Sequence, residues 1–200
     1  MKRYFIIACV LLLAACSKSV QEQAVPQIIP QPERMQEIGD PFTITRDTPI
    51  WVDTPSEEVE RTAGMLSERF EKAAGWPLKI AEEMPLSGGI YFMETGSYPA
   101  EGYLLRIEPG RILIEFSDGA GAFYAMQTLL QLLPKDIFSD SPIKGVKWTV
   151  PGVDIEDSPR FSYRGMHLDC CLHFFDIPFL QRYIDLMAMH KVNRFHCHLT

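Results

Sequence analysis

The last forty residues constrain this chain most. Residues 161–168 read as a strand, 176–191 as a helix and 194–199 as a second strand. Asp176 stands at the helix cap position, Pro178 falls in the first turn, and Asn193 suits the exit. Ile177, Leu180, Ile184, Met187 and Ala188 recur along one helical face. A strand–helix–strand run with such short connections requires a parallel pair and a crossover. A parallel pair with both edges open is not a stable stopping point. The expectation is that these residues open a larger α/β domain that Thr200 cuts short.

The residues before this unit form a second, separate pattern. Glu57–Ala74 is a helix by its spacing of Val59, Ala63, Leu66, Phe70 and Ala73, closed by Gly75 and Pro77. Residues 121–133 form another helix, with Pro134 as its stop. Short strands are expected at 42–45, 50–52, 78–81 and 89–92. Residues 103–107 and 111–116 flank the turn Glu108-Pro109-Gly110 as a hairpin. Strands, helix, strands, hairpin and helix make a compact α/β domain over 33–138, with both helices on one sheet face. Residues 139–159, with Pro142, Pro151 and Pro159, read as a linker before the unit at 160–200.

The amino terminus reads as an address. Lys2 and Arg3 precede the apolar run 5–13, too short to span a bilayer, and then Ala14, Ala15 and Cys16. This makes 1–15 a secretory signal, and Leu13-Ala14-Ala15-Cys16 resembles a bacterial lipobox, which implies lipid attachment at Cys16. Polar, proline-bearing residues 16–32 then act as a tether. The expected location is the cell envelope, lipid-anchored, in the periplasm or at the outer membrane or cell surface, with the membrane as a partner. A formal charge of −7 argues against a nucleic-acid partner, which needs a basic face.

The residues with chemistry crowd into the carboxyl-terminal unit. All five histidines lie between His167 and His198. His196 and His198 are two apart on a strand and face the same way. They fit a polar pocket on an inner barrel face, boundary positions with ordinary hydrogen-bond partners, or, against the absence of Cys-x₂-Cys spacing, metal ligands. Cys170, Cys171 and Cys197 are an odd set expected as buried free thiols. Cys197 could meet Cys170 or Cys171 only across neighbouring strands. Arg164 is costly inside an enclosed strand unless paired, with Asp169 for example, or facing a cavity where its planar fork holds an anion or a sugar diol. The tandem carboxylates Glu57-Glu58 and Glu82-Glu83 read as solvated surface positions. No glycine-rich phosphate loop, His-Glu-x-x-His or Gly-x-Ser-x-Gly occurs.

Taken in order, Ser158-Pro-Arg-Phe-Ser-Tyr-Arg-Gly-Met-His-Leu-Asp169, His173-Phe-Phe, Tyr183-Ile-Asp-Leu-Met-Ala and Lys191-Val-Asn-Arg-Phe-His-Cys-His-Leu-Thr200 resemble the opening of the catalytic barrel of family 20 glycoside hydrolases. Residues 119–133 resemble the last helix of the domain that precedes that barrel. The resemblance implies an α+β, sandwich-like first domain followed by the start of a (β/α)8 barrel. It implies an exo-acting retaining β-N-acetylhexosaminidase that removes terminal β-linked GlcNAc or GalNAc from glycans. Catalysis would be substrate-assisted, with an Asp-Glu pair and no metal or organic cofactor. It implies a sugar-hydroxyl contact for Arg164 and, for His198, support of the pocket wall. Where the family commonly has Arg before His-Phe-Phe, this chain has Leu172. The catalytic Asp-Glu pair is expected beyond Thr200, so the chain by itself is expected to be inactive. A non-catalytic surface lipoprotein, acting as scaffold or glycan-binding module, is the alternative.

Overall fold

The computed structural model describes residues 27–171 and 173–199. The signal, Cys16 and most of the tether, as well as Leu172 and Thr200, lie outside the described residues. Among the described residues no helix is long and apolar enough to cross a membrane.

The first domain is a mixed seven-stranded sheet in the order β1-β7-β5-β6-β4-β2-β3. Its strands are β1 (Arg34–Thr43), β2 (Ile50–Val52), β3 (Ile80–Ala81), β4 (Ile90–Glu94), β5 (Tyr103–Glu108), β6 (Arg111–Phe116) and β7 (Thr149–Asp157). Helices α1 (Glu57–Ala74) and α2 (Gly119–Leu132) pack against each other and the sheet. Alternate residues of the strands, such as Ile90 and Phe92 or Ile112, Ile114 and Phe116, meet Leu66, Phe70, Ala125 and Leu129 of the helices in one core. Each such large side chain contributes about 1.5–3 kcal/mol when fully buried.

Local chemistry sets the ends of both helices. Ser56 accepts from the Val59 N–H at the start of α1, and Gly75 ends it with a left-handed φ of 81° while donating to Glu71 O. That conformation carries no Cβ penalty for glycine. Asp118 caps α2 and also reaches backward. One carboxylate oxygen accepts from Gly121 N at 2.9 Å and the other from Glu101 N at 2.8 Å. Asp118 therefore holds both the helix start and the 101–102 turn beside it. At Gly121 a Cβ would stand 2.4 Å from the Gly102 carbonyl oxygen, so this close crossing needs glycine. Asp118→Ala is expected to destabilise the protein by about 2 kcal/mol, the upper range for loss of a cap, in a urea unfolding curve.

Two boundaries differ from the sequence-based expectation. Residues 139–159 are not a linker throughout. Their second half is β7, which pairs antiparallel with β1 on one side and β5 on the other. Prolines suggested a linker, but Pro151 falls where the β1 register shifts between Gly39 and Phe42, so no regular ladder bond is lost there. The end of the tether also belongs to the fold. Ile28 is buried in the core, and the Gln131 amide bonds both the Ile29 N–H and the Ile29 carbonyl at 2.9 Å.

The carboxyl-terminal unit is β8 (Gly165–Asp169), α3 (Ile177–Met189) and β9 (Arg194–His198). Residues 161–164, expected within the strand, precede it. The two strands pair in parallel, with His167 opposite His196 and Asp169 opposite His198. Asp176 caps α3 by accepting from Phe179 N at 3.0 Å.

Candidate active site

Parallel register and strand alternation decide which side chains share a face. His167, Asp169, His196 and His198 project together. The His167 and His196 rings meet edge to face at 4.6 Å, and His198 lies 6.1 Å from His167. The opposite face turns to α3, where the Tyr183 and Phe195 rings lie 5.6 Å apart. The histidines thus occupy the face that α3 leaves open, and Asp169 and His198 sit at the carboxyl ends of the strands. Ligands in parallel α/β folds collect at those ends. Among the described residues, no group of three or more His, Cys, Asp or Glu side chains is placed to hold a metal ion.

Arg164 stands at the other end. It precedes β8, on the amino side of the sheet, and each of its three side-chain nitrogens already has a partner. Nε donates to Lys191 O at 2.8 Å, Nη1 to Phe161 O at 2.7 Å, and Nη2 to the Glu101 carboxylate and the Tyr124 hydroxyl. The guanidinium also lies over the Tyr124 ring, 5.3 Å from its centre. This is the ion-pair arrangement, with Glu101 of the first domain as the carboxylate in place of Asp169.

A second cation crosses the same seam. Lys191, in the turn between α3 and β9, is 5% exposed. Its ammonium donates to Asp157 at 2.7 Å and to the Tyr103 hydroxyl at 2.8 Å. Tyr103 in turn meets Thr128 of α2 at 2.7 Å. Burial lowers the Lys191 pKa, and the Asp157 carboxylate offsets part of that. The Tyr103 hydroxyl is pushed up, first by burial and then by Asp157. A cavity of about 610 Å³ opens along this seam beside Glu101, Tyr124, Asp157, Arg164 and Lys191. It lies at the amino ends of β8 and β9, away from the histidine face.

Glu101, Tyr103, Tyr124, Asp157 and Lys191 were missed in the sequence because each makes its contact only across a long separation. The tandem carboxylates behave as expected: Glu57 pairs with Arg61 on the exposed face of α1. The cysteines are free, but none is fully buried. Cys170 and Cys197 are half-buried and Cys171 is exposed.

Comparison with known proteins decides the family. Residues 25–158 match the model of glycosyl hydrolase family 20, domain 2, and residues 161–200 match its catalytic domain. The chain belongs to glycosyl hydrolase family 20. A β-hexosaminidase of Porphyromonas gingivalis is 39% identical over 97% of this chain and 26% of its own length. One from Vibrio furnissii is 31% identical over 90% of the chain and 27% of its own length. The N-acetyl-β-hexosaminidase of Streptomyces plicatus, solved in complex with Thio-NAglucal, superposes with a TM-score of 0.80 at 38% identity. That match covers 88% of this chain and 34% of the solved one. The chain therefore spans about a quarter to a third of the length of these family 20 relatives. The catalytic-domain match through the last forty residues leaves the scaffold alternative without support.

Proposed function

We propose that this chain serves a β-N-acetylhexosaminidase, an exo-glycosidase acting on glycans that end in β-linked N-acetylhexosamine. The single observation that carries this reading is the catalytic-domain match on β8–α3–β9, where Asp169 and three histidines share the open face. A polar face of this kind offers hydrogen bonds to sugar hydroxyls at the strand ends where substrates gather. The first domain supplies the platform: its Glu101 and Asp157 grip the amino ends of β8 and β9 and hold that face in place. Arg164 enters this reading as a residue of the grip. Lipid attachment at Cys16 in the cell envelope belongs to the proposal as well, supported by the Leu13-Ala14-Ala15-Cys16 run.

The reaction needs an acid for the leaving oxygen and a carboxylate for the acetamido group. The matched motifs bring no Asp-Glu pair to the open face within these residues. The purified 200-residue chain is expected to release no nitrophenol from 4-nitrophenyl N-acetyl-β-D-glucosaminide above the buffer rate. The same domains joined to a complete family 20 catalytic domain are expected to release it. Turnover by the 200-residue chain, or none by the joined form, overturns the respective half of the reading.

A further inference from the structure

Three cysteines lie in the carboxyl-terminal unit, and two of them touch. Cys170 Sγ and Cys197 Sγ are 3.6 Å apart. Their meeting follows from register. Cys197 is the partner of Leu168 on β8, and Cys170 lies two residues beyond Leu168 on the same side. The Cys170 N–H donates to His198 O at 2.9 Å, which pins its backbone to β9. Cys171 is turned away: it is exposed, and its N–H bonds the Asp169 carboxylate at 2.8 Å.

We propose that Cys170 and Cys197 are a redox-active pair that closes into a disulfide across the carboxyl ends of β8 and β9. A bonded S–S distance is about 2.05 Å, so side-chain rotation has about 1.5 Å to close. The oxidant is a low-molecular-weight disulfide. One protein thiolate attacks a sulfur of that disulfide and releases one small thiol, leaving a mixed disulfide. The second protein thiolate attacks the protein sulfur of the mixed disulfide and releases the other small thiol. The two cysteines give up two electrons and two protons, and the oxidant leaves as two thiols. The bond would tie together the strand ends that carry Asp169 and His198. The redox state of the surroundings would then set how freely that end of the open face moves.

The test uses the full chain held in excess oxidised glutathione, blocked with N-ethylmaleimide and cut with trypsin. Cleavage places Cys170 and Cys171 in peptide 165–182 and Cys197 in the peptide beginning at Phe195. Mass spectrometry is expected to find these two peptides joined, at two hydrogens below their sum plus the one blocking group carried by Cys171. Dithiothreitol should separate them. The crosslink should persist in Cys171→Ser and vanish in Cys170→Ser. A crosslink lost in Cys171→Ser, or peptides that stay unjoined and fully blocked by maleimide, overturns the proposal. The exposed Cys171→Ser variant keeps the result decisive even where Cys170→Ser fails to fold.

Discussion

Asp157→Ala is expected to lower the stability of the chain by about 3–5 kcal/mol, the range found when one partner of a buried ion pair is removed. The reason is what remains behind. Lys191 keeps its ammonium 2.7 Å from an absent carboxylate, with the Tyr103 hydroxyl as its one remaining bond partner and a side chain only 6% exposed. An unpaired charge there cannot reach water without opening the seam between the domains. At a typical urea dependence of about 2 kcal/mol per molar, the unfolding midpoint should fall by roughly 1.5–2.5 M. The comparison is Asp154, 16% exposed against 14% for Asp157, which pairs at 2.5 Å with an arginine, Arg106, that is itself 37% exposed. The Arg106 guanidinium left behind can reach water, as the Lys191 ammonium cannot, so Asp154→Ala should cost only about 1 kcal/mol. Replacing both seam partners, as in Asp157→Leu with Lys191→Met, should recover much of the loss, because no charge is left stranded. A midpoint for Asp157→Ala no lower than that of Asp154→Ala would show that the seam is wet or absent in solution.

Local rules sufficed for α1, whose cap, apolar stripe and terminal glycine all lie within Ser56–Gly75, and its ends match expectation. They sufficed for Arg111–Phe116 and for the sharing of one face by His196 and His198, which needs only strand alternation. They failed at β7. Pro151 and Gly152 within it imply irregular chain, and only its two partners, far away in sequence, make it a strand. They failed again for Lys191 and Arg164. Nothing within ten residues of either marks Asp157 or Glu101 as its partner, and the expected carboxylate for Arg164 was the near one, Asp169. Charge pairs across a domain seam are set by tertiary packing, which leaves no periodic trace.

Arg164→Ala is the second large effect, and it separates two roles for this residue. A guanidinium that only touched sugar hydroxyls in an open pocket would leave unfolding within about 0.5 kcal/mol of the parent when removed. The observed contacts predict otherwise. Alanine would strip donors from Glu101, Tyr124 and the Lys191 and Phe161 carbonyls at once. It would also leave Glu101, three-quarters buried, without its counter-charge. Hydrogen bonds to charged groups are worth about 1.5–3 kcal/mol each, so a loss of about 3 kcal/mol is expected. Glu101→Gln should reproduce part of that loss, and the double variant should cost less than the two single losses added. A coupling of about 1.5 kcal/mol or more in this cycle is the mark of a direct pair. Asp118 gives an independent handle, since it holds the Glu101 backbone in a left-handed turn, φ 62°, without touching Arg164. Releasing that turn with Asp118→Ala should weaken the Arg164–Glu101 coupling. Additive losses for Arg164 and Glu101 would instead mean that the arginine is free of the seam in solution and available to a ligand.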